Sequence, residues 1–287
     1  MSMKAILVHV DEHDSLSSVL TCALLAARRF GSHLEGLFLW RGVPRMVPVA
    51  PEGAFLPASD LVEDLERADR ERSVRLRERF ETFMAEHDVP LAVSGRSEGE
   101  PSASWSDQTL TGDDALGTIG RVNDLIVVGR PVEGHPAPMM STLETALFES
   151  GRTLLIAPPT APATLGEMVV IAWNGSTETA HTIGLALPFL AKAKDVVVLS
   201  VEDGMVPGPS GAAVARYLHR NDIAASAKTI RAGDRPVGAA ILQESASLGA
   251  DLLLKGAYTH SRLRQMIFGG ATSHILARAE IPVVMAH

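Results

Sequence analysis

The feature that most constrains this 287-residue chain is an internal repeat, since three short segments of the first half recur in the same order in the second half. The matching pairs are residues 6–11 (ILVHVD) with 169–174 (VVIAWN), 124–129 (DLIVVG) with 251–256 (DLLLKG), and 153–157 (TLLIA) with 282–286 (PVVMA). The pairs are 163, 127 and 129 positions apart, so the first copy carries 36 extra residues between its first and fourth strands. The simplest interpretation is a chain built from two copies of one unit.

The junction between the copies is a proline-rich stretch, residues 157–164 (APPTAPAT). Proline favours extended, semi-rigid spacers, and the chain length fits two domains at about 150 residues each. We therefore predict an N-terminal domain over residues 1–162 and a C-terminal domain over residues 163–287.

Each copy alternates continuous apolar runs with segments that favour helix. Residues 168–173 form an apolar run typical of a strand covered on both faces, and Ser176 is a favourable N-cap for a helix to about Ala191. Strands that alternate with helices predict a parallel sheet. The expected fold class is α/β, with two tandem, doubly wound, five-stranded parallel sheets.

The first copy carries two additions. Residues 40–58 are rich in Pro, Gly and Val and predict an inserted loop, and residues 59–87 predict one long charged helix. Its charged face is most simply solvated, although a partner-docking helix is the alternative. The apolar face recurs at helical spacing and consists of Leu61, Leu65, Leu76, Phe80, Phe83 and Met84.

Composition argues against several classes of function. The net charge of -8, without a free-standing basic stretch, makes nucleic acid an unexpected partner. No window approaches the roughly 18 uninterrupted apolar residues of a membrane helix, and the first apolar run is too short for a signal peptide, so we expect a cytoplasmic protein without membrane contact. Cys22 lies in an apolar run that suits a buried side chain.

Metal and hydrolase signatures are also missing from the sequence. The ten histidines are scattered, without HExxH or Cys/His pair spacing, and no Gly-x-Ser-x-Gly elbow anchors a hydrolase triad. We therefore predict neither a metal site nor a catalytic triad, and we expect Trp173 to be a core residue.

A candidate ligand site follows the fourth strand of the second copy, in residues 256–272. Glycines near both ends, Gly256 and Gly269, allow backbone N–H groups to approach an anion, and the following helix directs its first N–H groups to the same place. In an open parallel sheet, ligands bind beyond the strand ends where strand order reverses, which here lies between Asn174 and Gly256. The alternative is an ordinary strand-to-helix turn.

The spacing of this loop resembles that of the universal stress protein family. Gly256, Thr259 and the pair Gly269–Gly270 follow the family pattern Gly-x2-Gly-x9-Gly-(Ser/Thr), with two departures. The resemblance covers residues 168–287 and, more faintly, 3–159. It implies a tandem universal stress protein with the family's fold, similar to adenine nucleotide alpha hydrolases, and five parallel strands per domain.

In ATP-binding members of this family the loop holds phosphates and ribose. The resemblance therefore implies a site for ATP or a related adenine nucleotide, with Mg²⁺ accompanying it. By position the site would comprise Asn174, Val201, Gly256, Thr259, Gly269, Gly270, Ala271 and Thr272. Asn174 follows the first strand of this copy, and Val201 ends the second.

Several residues depart from the family pattern. Thr259 replaces a glycine and its Cβ disfavours a left-handed backbone, Gly270 replaces Ser or Thr, and Asn174 replaces Asp. In the first copy Gly129 is followed by the proline-containing run 130–138, and prolines lack the N–H that a phosphate cradle needs. We expect no nucleotide to bind to the first copy. For the second copy, the sequence leaves both binding and its absence as alternatives.

The function that these observations favour is a non-catalytic, stress-response protein that binds a small ligand. The two domains should form an intramolecular pseudo-dimer through residues 153–157 and 282–286, and a homodimer is also compatible with the family. One alternative is a slow nucleotide hydrolase, for which residues 256–272 offer no evident base or metal-holding acid. The other is a protein–protein scaffold whose nucleotide sites have both decayed.

Overall fold

The computed structural model describes residues 3–40, 59–92, 99–106, 108, 112, 114–132, 140–257 and 270–287, with only the backbone described at 59–62. The predicted inserted loop after Trp40, Thr259 and Gly269 lie outside these residues. The elements are β1 (Ala5–His9), α1 (Leu16–Phe30), β2 (His33–Leu37), α2 (Ser59–Glu86), β3 (Ser102–Trp105), α3 (Asp114–Gly120), β4 (Leu125–Gly129), α4 (Met140–Glu149), β5 (Thr153–Ala157), β6 (Met168–Ala172), α5 (Thr177–Leu185), α6 (Leu187–Leu190), β7 (Asp195–Val201), a 3₁₀ turn (Glu202–Gly204), α7 (Gly211–His219), β8 (Ser226–Ile230), α8 (Val237–Ser247), β9 (Leu252–Gly256), α9 (Gly270–Arg278) and β10 (Val283–Ala286).

The described strands form one ten-stranded sheet in the order β3-β2-β1-β4-β5-β10-β9-β6-β7-β8. Neighbours within each half are parallel, whereas β5 and β10 are antiparallel, with Leu155 opposite Val284. The expected contact between the last strands of the two halves is therefore present. The five strands expected in each half are joined edge to edge into this one sheet, because each last strand pairs its open edge with the other.

Helices cover both faces of the sheet, since successive residues of a strand point to opposite sides. On β9, Leu252 and Leu254 join a core with α1, α2, α5, α6 and α7, whereas Leu253 joins a core with α3, α4, α8 and α9. Strand order reverses between β1 and β4 in the first half and between β6 and β9 in the second. These two positions are where such folds bind ligands.

The helices predicted at residues 59–87 and after the glycine-flanked loop are present as α2 and α9, and the one predicted from Ser176 is interrupted. The predicted helix from Ser176 to about Ala191 is split at Ala186 into α5 and α6, because Pro188 lacks the N–H that would continue the helix. The predicted N-cap is confirmed, since Ser176 Oγ accepts a hydrogen bond from Thr179 N at 3.3 Å.

The apolar face of α2 is buried in part. Leu76, Phe80 and Met84 are buried, whereas Leu65 is 40% exposed. The carboxyl-terminal part of α2 therefore supplies the packing of this helix on the sheet. Cys22 is buried and unreactive by position, since burial raises its pKa to about 12.

Candidate functional site

A cavity of about 400 Å³ opens at the carboxyl ends of β6, β7 and β9 in the C-terminal half. It lies on the sheet face that α8 and α9 cover, beside the point where strand order reverses. Its volume is within the range of about 300–1,000 Å³ that is typical of small-molecule sites. The residues that line it are Ala172, Trp173, Asn174, Leu199, Val201, Gly204, Val206, Pro236, Val237, Ile241, Lys255, Gly270, Ala271 and Thr272.

Asn174 forms the turn that leads from β6 into α5. Its Oδ1 accepts hydrogen bonds from Thr179 Oγ1 at 2.9 Å and from Ser176 N at 3.3 Å. An aspartate would accept the same bonds, so the amide preserves the local turn without adding a negative charge beside the cavity. The carbonyl oxygen of Asn174 accepts from Val206 N at 2.8 Å.

The segment after β7 folds against the end of β6 and forms one wall of the cavity. Trp173 is buried, as expected, and its Nε1 donates to Pro209 O at 2.8 Å. Gly175 has a φ of +91°, and a Cβ there would lie 2.6 Å from Val206 O. The close approach of these two backbones therefore requires glycine at this position.

The opposite wall is the start of α9, which packs closely on α8. A Cβ on Gly238 would lie 2.8 Å from Ala271 O, so the two helices meet backbone to backbone. This packing brings Gly270, Ala271 and Thr272 to the cavity. The first-turn N–H groups of a helix have no partner within the helix and carry partial positive charge, so this wall favours an anionic group.

Gly256 has a packing role that the sequence does not reveal. A Cβ on Gly256 would lie 2.4 Å from Thr179 N and 2.6 Å from Thr179 Oγ1. Glycine is therefore needed here because the start of α5 lies directly against the end of β9. Gly256 is not among the residues that line the cavity, and its role in ligand binding stays a prediction.

Lys255 is the charged residue among the described residues that line the cavity, and sequence reasoning did not identify it as a site residue. It is 7% exposed, and its Nζ donates to Gly256 O at 2.8 Å. Burial lowers the pKa of this amine to about 8, while the negative charge of Glu178 opposes that shift. The available signal was a lysine at the end of an otherwise apolar strand, LLLKG.

The predicted site residues thus separate into three groups. Asn174, Val201 and the α9 residues 270–272 line one cavity, and Gly256 lies behind it. Thr259 and Gly269 lie outside the described residues, and so does most of the proline-containing run after Gly129. Whether any of them binds a ligand stays a prediction.

The described residues hold no group of three or more His, Cys, Asp or Glu side chains that could bind a metal ion. Within the same parts of the chain, none of the helices combines the length and apolar character needed to cross a bilayer.

The sequence model of the universal stress protein family matches residues 167–287. A search of curated proteins finds none with significant similarity to this chain. Among solved structures, a universal stress protein from Archaeoglobus fulgidus DSM 4304 is similar in fold, with a TM-score of 0.70 at 15% identity over 99% of this chain and 96% of the other. A putative universal stress protein from Pseudomonas aeruginosa UCBPP-PA14 has a TM-score of 0.50 at 17% identity, over 99% of this chain and 93% of the other. Residues 167–287 of this chain therefore form a universal stress protein domain.

Proposed function

We propose that this chain is a stress-response protein made of two fused universal stress protein domains, residues 1–162 and 163–287. The C-terminal domain would bind an adenine nucleotide without turning it over. The observation that carries this proposal is the cavity at the ends of β6, β7 and β9, which brings Asn174, Val201 and the start of α9 together.

Equivalent hydrogen bonds in the two halves support the duplication. Asp124 Oδ2 accepts from the backbone N–H groups at the start of β1, and Asp251 accepts in the same way at the start of β6. The backbone N–H of Asp124 donates to Ala5 O, and that of Asp251 donates to Met168 O. A common origin of the halves explains why these bonds recur at the offsets of the sequence repeat.

The walls of the cavity suit the two ends of a nucleotide. Val201, Val237 and Ile241 provide an apolar surface for a planar base, and the start of α9 provides N–H groups for phosphate. Magnesium prefers to bind through phosphate oxygens and a few protein oxygens. We therefore expect Mg²⁺ to enter with the nucleotide rather than at a separate protein site.

Isothermal titration calorimetry with ATP, ADP and AMP, with and without Mg²⁺, tests the proposal directly. We expect one nucleotide per chain. Val201→Trp, which fills the cavity, should abolish the heat of nucleotide binding. Val122→Trp should leave it unchanged, because Val122 is 81% exposed and lies in the other half of the chain. Denaturing the purified protein should release any nucleotide that copurifies, and analysis of the supernatant would identify it.

Two results would replace the proposal by its alternatives. Turnover of magnesium-ATP that Val201→Trp eliminates would indicate a hydrolase. Absence of heat with all three nucleotides, together with a nucleotide-free supernatant, would indicate a scaffold with decayed sites.

A further inference from the structure

The five lysines of this chain, all in the described residues, differ sharply in their surroundings. Lys4, Lys192, Lys194 and Lys228 have exposed side chains, whereas Lys255 is buried at the end of β9. With so few lysines, an amine-directed reagent has few competing targets. The buried lysine can therefore be tested in the unmodified protein.

The surroundings of the Lys255 amine do not favour its charged form. Among the described residues, Nζ has a single hydrogen bond, to the neutral Gly256 carbonyl, and no ion pair. Within the part of the chain that the structure describes, Glu178 of α5 is the charged group that acts on it, and the residues of α8 and α9 that line the cavity are neutral. Burial therefore lowers the pKa of Lys255 to about 8, so roughly a tenth of the amine is unprotonated at pH 7, far more than for an exposed lysine.

The side chain also has space for a reaction partner. Lys255 follows Leu253 by two residues on β9 and so lies on the same face of the sheet, towards α8 and α9. It lines the cavity of about 400 Å³, whose other walls include Val201 and Ile241.

We propose that Lys255 is a reactive amine that captures small, anionic aldehydes as an imine inside this cavity. The unprotonated Nζ attacks the carbonyl carbon to give a carbinolamine. That intermediate loses the oxygen as water, together with both hydrogens of the amine, and a C=N bond replaces the C=O bond. No oxidant or reductant is needed, and the reaction is reversible.

The preference for an anionic aldehyde follows from the opposite wall. Gly270, Ala271 and Thr272, in the first turn of α9, line the same cavity as Lys255, and the first-turn N–H groups of a helix have no partner within the helix. A phosphate or carboxylate bound there would hold the aldehyde beside the amine. This activity goes beyond nucleotide binding and does not depend on it.

Pyridoxal 5′-phosphate is a suitable probe, since it carries both an aldehyde and a phosphate. The protein is incubated with the probe, the imine is reduced with borohydride, and labelled peptides are quantified by mass spectrometry. At pH 7.5 we expect at least about tenfold more label on Lys255 than on any exposed lysine, because a lower pKa increases the unprotonated fraction. Pyridoxal without phosphate should label Lys255 more weakly. The extent of labelling by pyridoxal 5′-phosphate should increase with pH, with the midpoint of the increase near pH 8.

Two variants provide matched controls. Lys255→Met should lose the label, and Lys228→Met should retain it, because Lys228 is exposed and pairs with Glu244. Equal labelling of all five lysines, or labelling that avoids Lys255, would overturn the proposal. Calorimetry with ATP is a separate measurement. Labelling of Lys255 without nucleotide binding would contradict only the proposed function. Nucleotide binding without labelling of Lys255 would contradict only this inference.

Discussion

Arg29 and Lys192 exchange hydrogen bonds across the two halves, each donating from its side chain to the backbone carbonyl of the other. The two residues are 163 positions apart, the offset that relates the first strands of the repeat. Reciprocal contacts of this kind are what a two-fold relation between like units produces. The Lys192 amine also lies 5.4 Å from the ring centroid of Phe30, which packs edge-on against Phe189 at 4.8 Å.

Loss of this contact should weaken the interface between the two halves. Arg29→Met leaves the carbonyl oxygens of Gly166 and Lys192 without their donor, and we expect the free energy of unfolding to fall by about 1–3 kcal/mol. Lys194→Met is the control, since it removes an exposed ion pair with Glu167 and should change stability by no more than about 1 kcal/mol. Urea denaturation measures both, and equal effects would argue against an interface role for Arg29.

The duplicated aspartates should have matched effects. Asp124→Ala and Asp251→Ala each remove the acceptor for two backbone N–H groups, so each should lower the free energy of unfolding by about 1–3 kcal/mol. Asp195→Ala, at an exposed position at the start of β7, should have little effect. A large difference between the first two variants in thermal denaturation would contradict the equivalence of the halves.

Gly256→Ala separates a packing role from a ligand role. The new Cβ would meet Thr179 N at 2.4 Å, and overpacking of this kind typically costs about 1–3 kcal/mol. Gly184→Ala adds a methyl group in α5 with no atom within 4 Å, and should leave stability unchanged or raise it by up to about 1 kcal/mol. If Gly256→Ala weakened ligand binding but left the unfolding midpoint unchanged, the packing role would be wrong.

The buried amine should also make stability depend on pH. Because the pKa of Lys255 is about 8 in the folded protein, against 10.5 for a lysine side chain in water, the unfolded chain binds more protons between these values. Stability should therefore rise with pH across this window, by up to about 3 kcal/mol for this group. Lys255→Met should be more stable than the parent below pH 8, with a difference that disappears towards pH 10.5. A constant difference across chemical denaturation curves spanning this window would contradict the linkage.

Much of the fold could be predicted because local signals dominate it. The apolar runs at residues 168–173 and 251–255 became β6 and β9 within a residue or two, and the charged helix predicted at 59–87 became α2. The join of β5 to β10 into one sheet depends on a pairing between distant strand edges. The sequence indicated that these strands meet, but it did not indicate that their hydrogen bonds would make the sheet continuous.

The parts of the candidate cavity that depend on topology could be located from the sequence, whereas the parts that depend on packing could not. Asn174 and Val201 reach one cavity because the ends of parallel strands meet at one edge of the sheet. Lys255 was missed because its burial depends on how α8 and α9 cover the sheet face. The packing role of Gly256 likewise depends on the position of α5, which no nearby residue specifies.

The antiparallel pairing of β5 with β10 joins segments of a single polypeptide. The encounter between the halves is therefore intramolecular, and its equilibrium does not change with protein concentration. Dilution that would dissociate two separate chains paired in this way leaves these halves together. Any assembly of several copies that keeps this internal pairing must use surfaces other than these two strand edges.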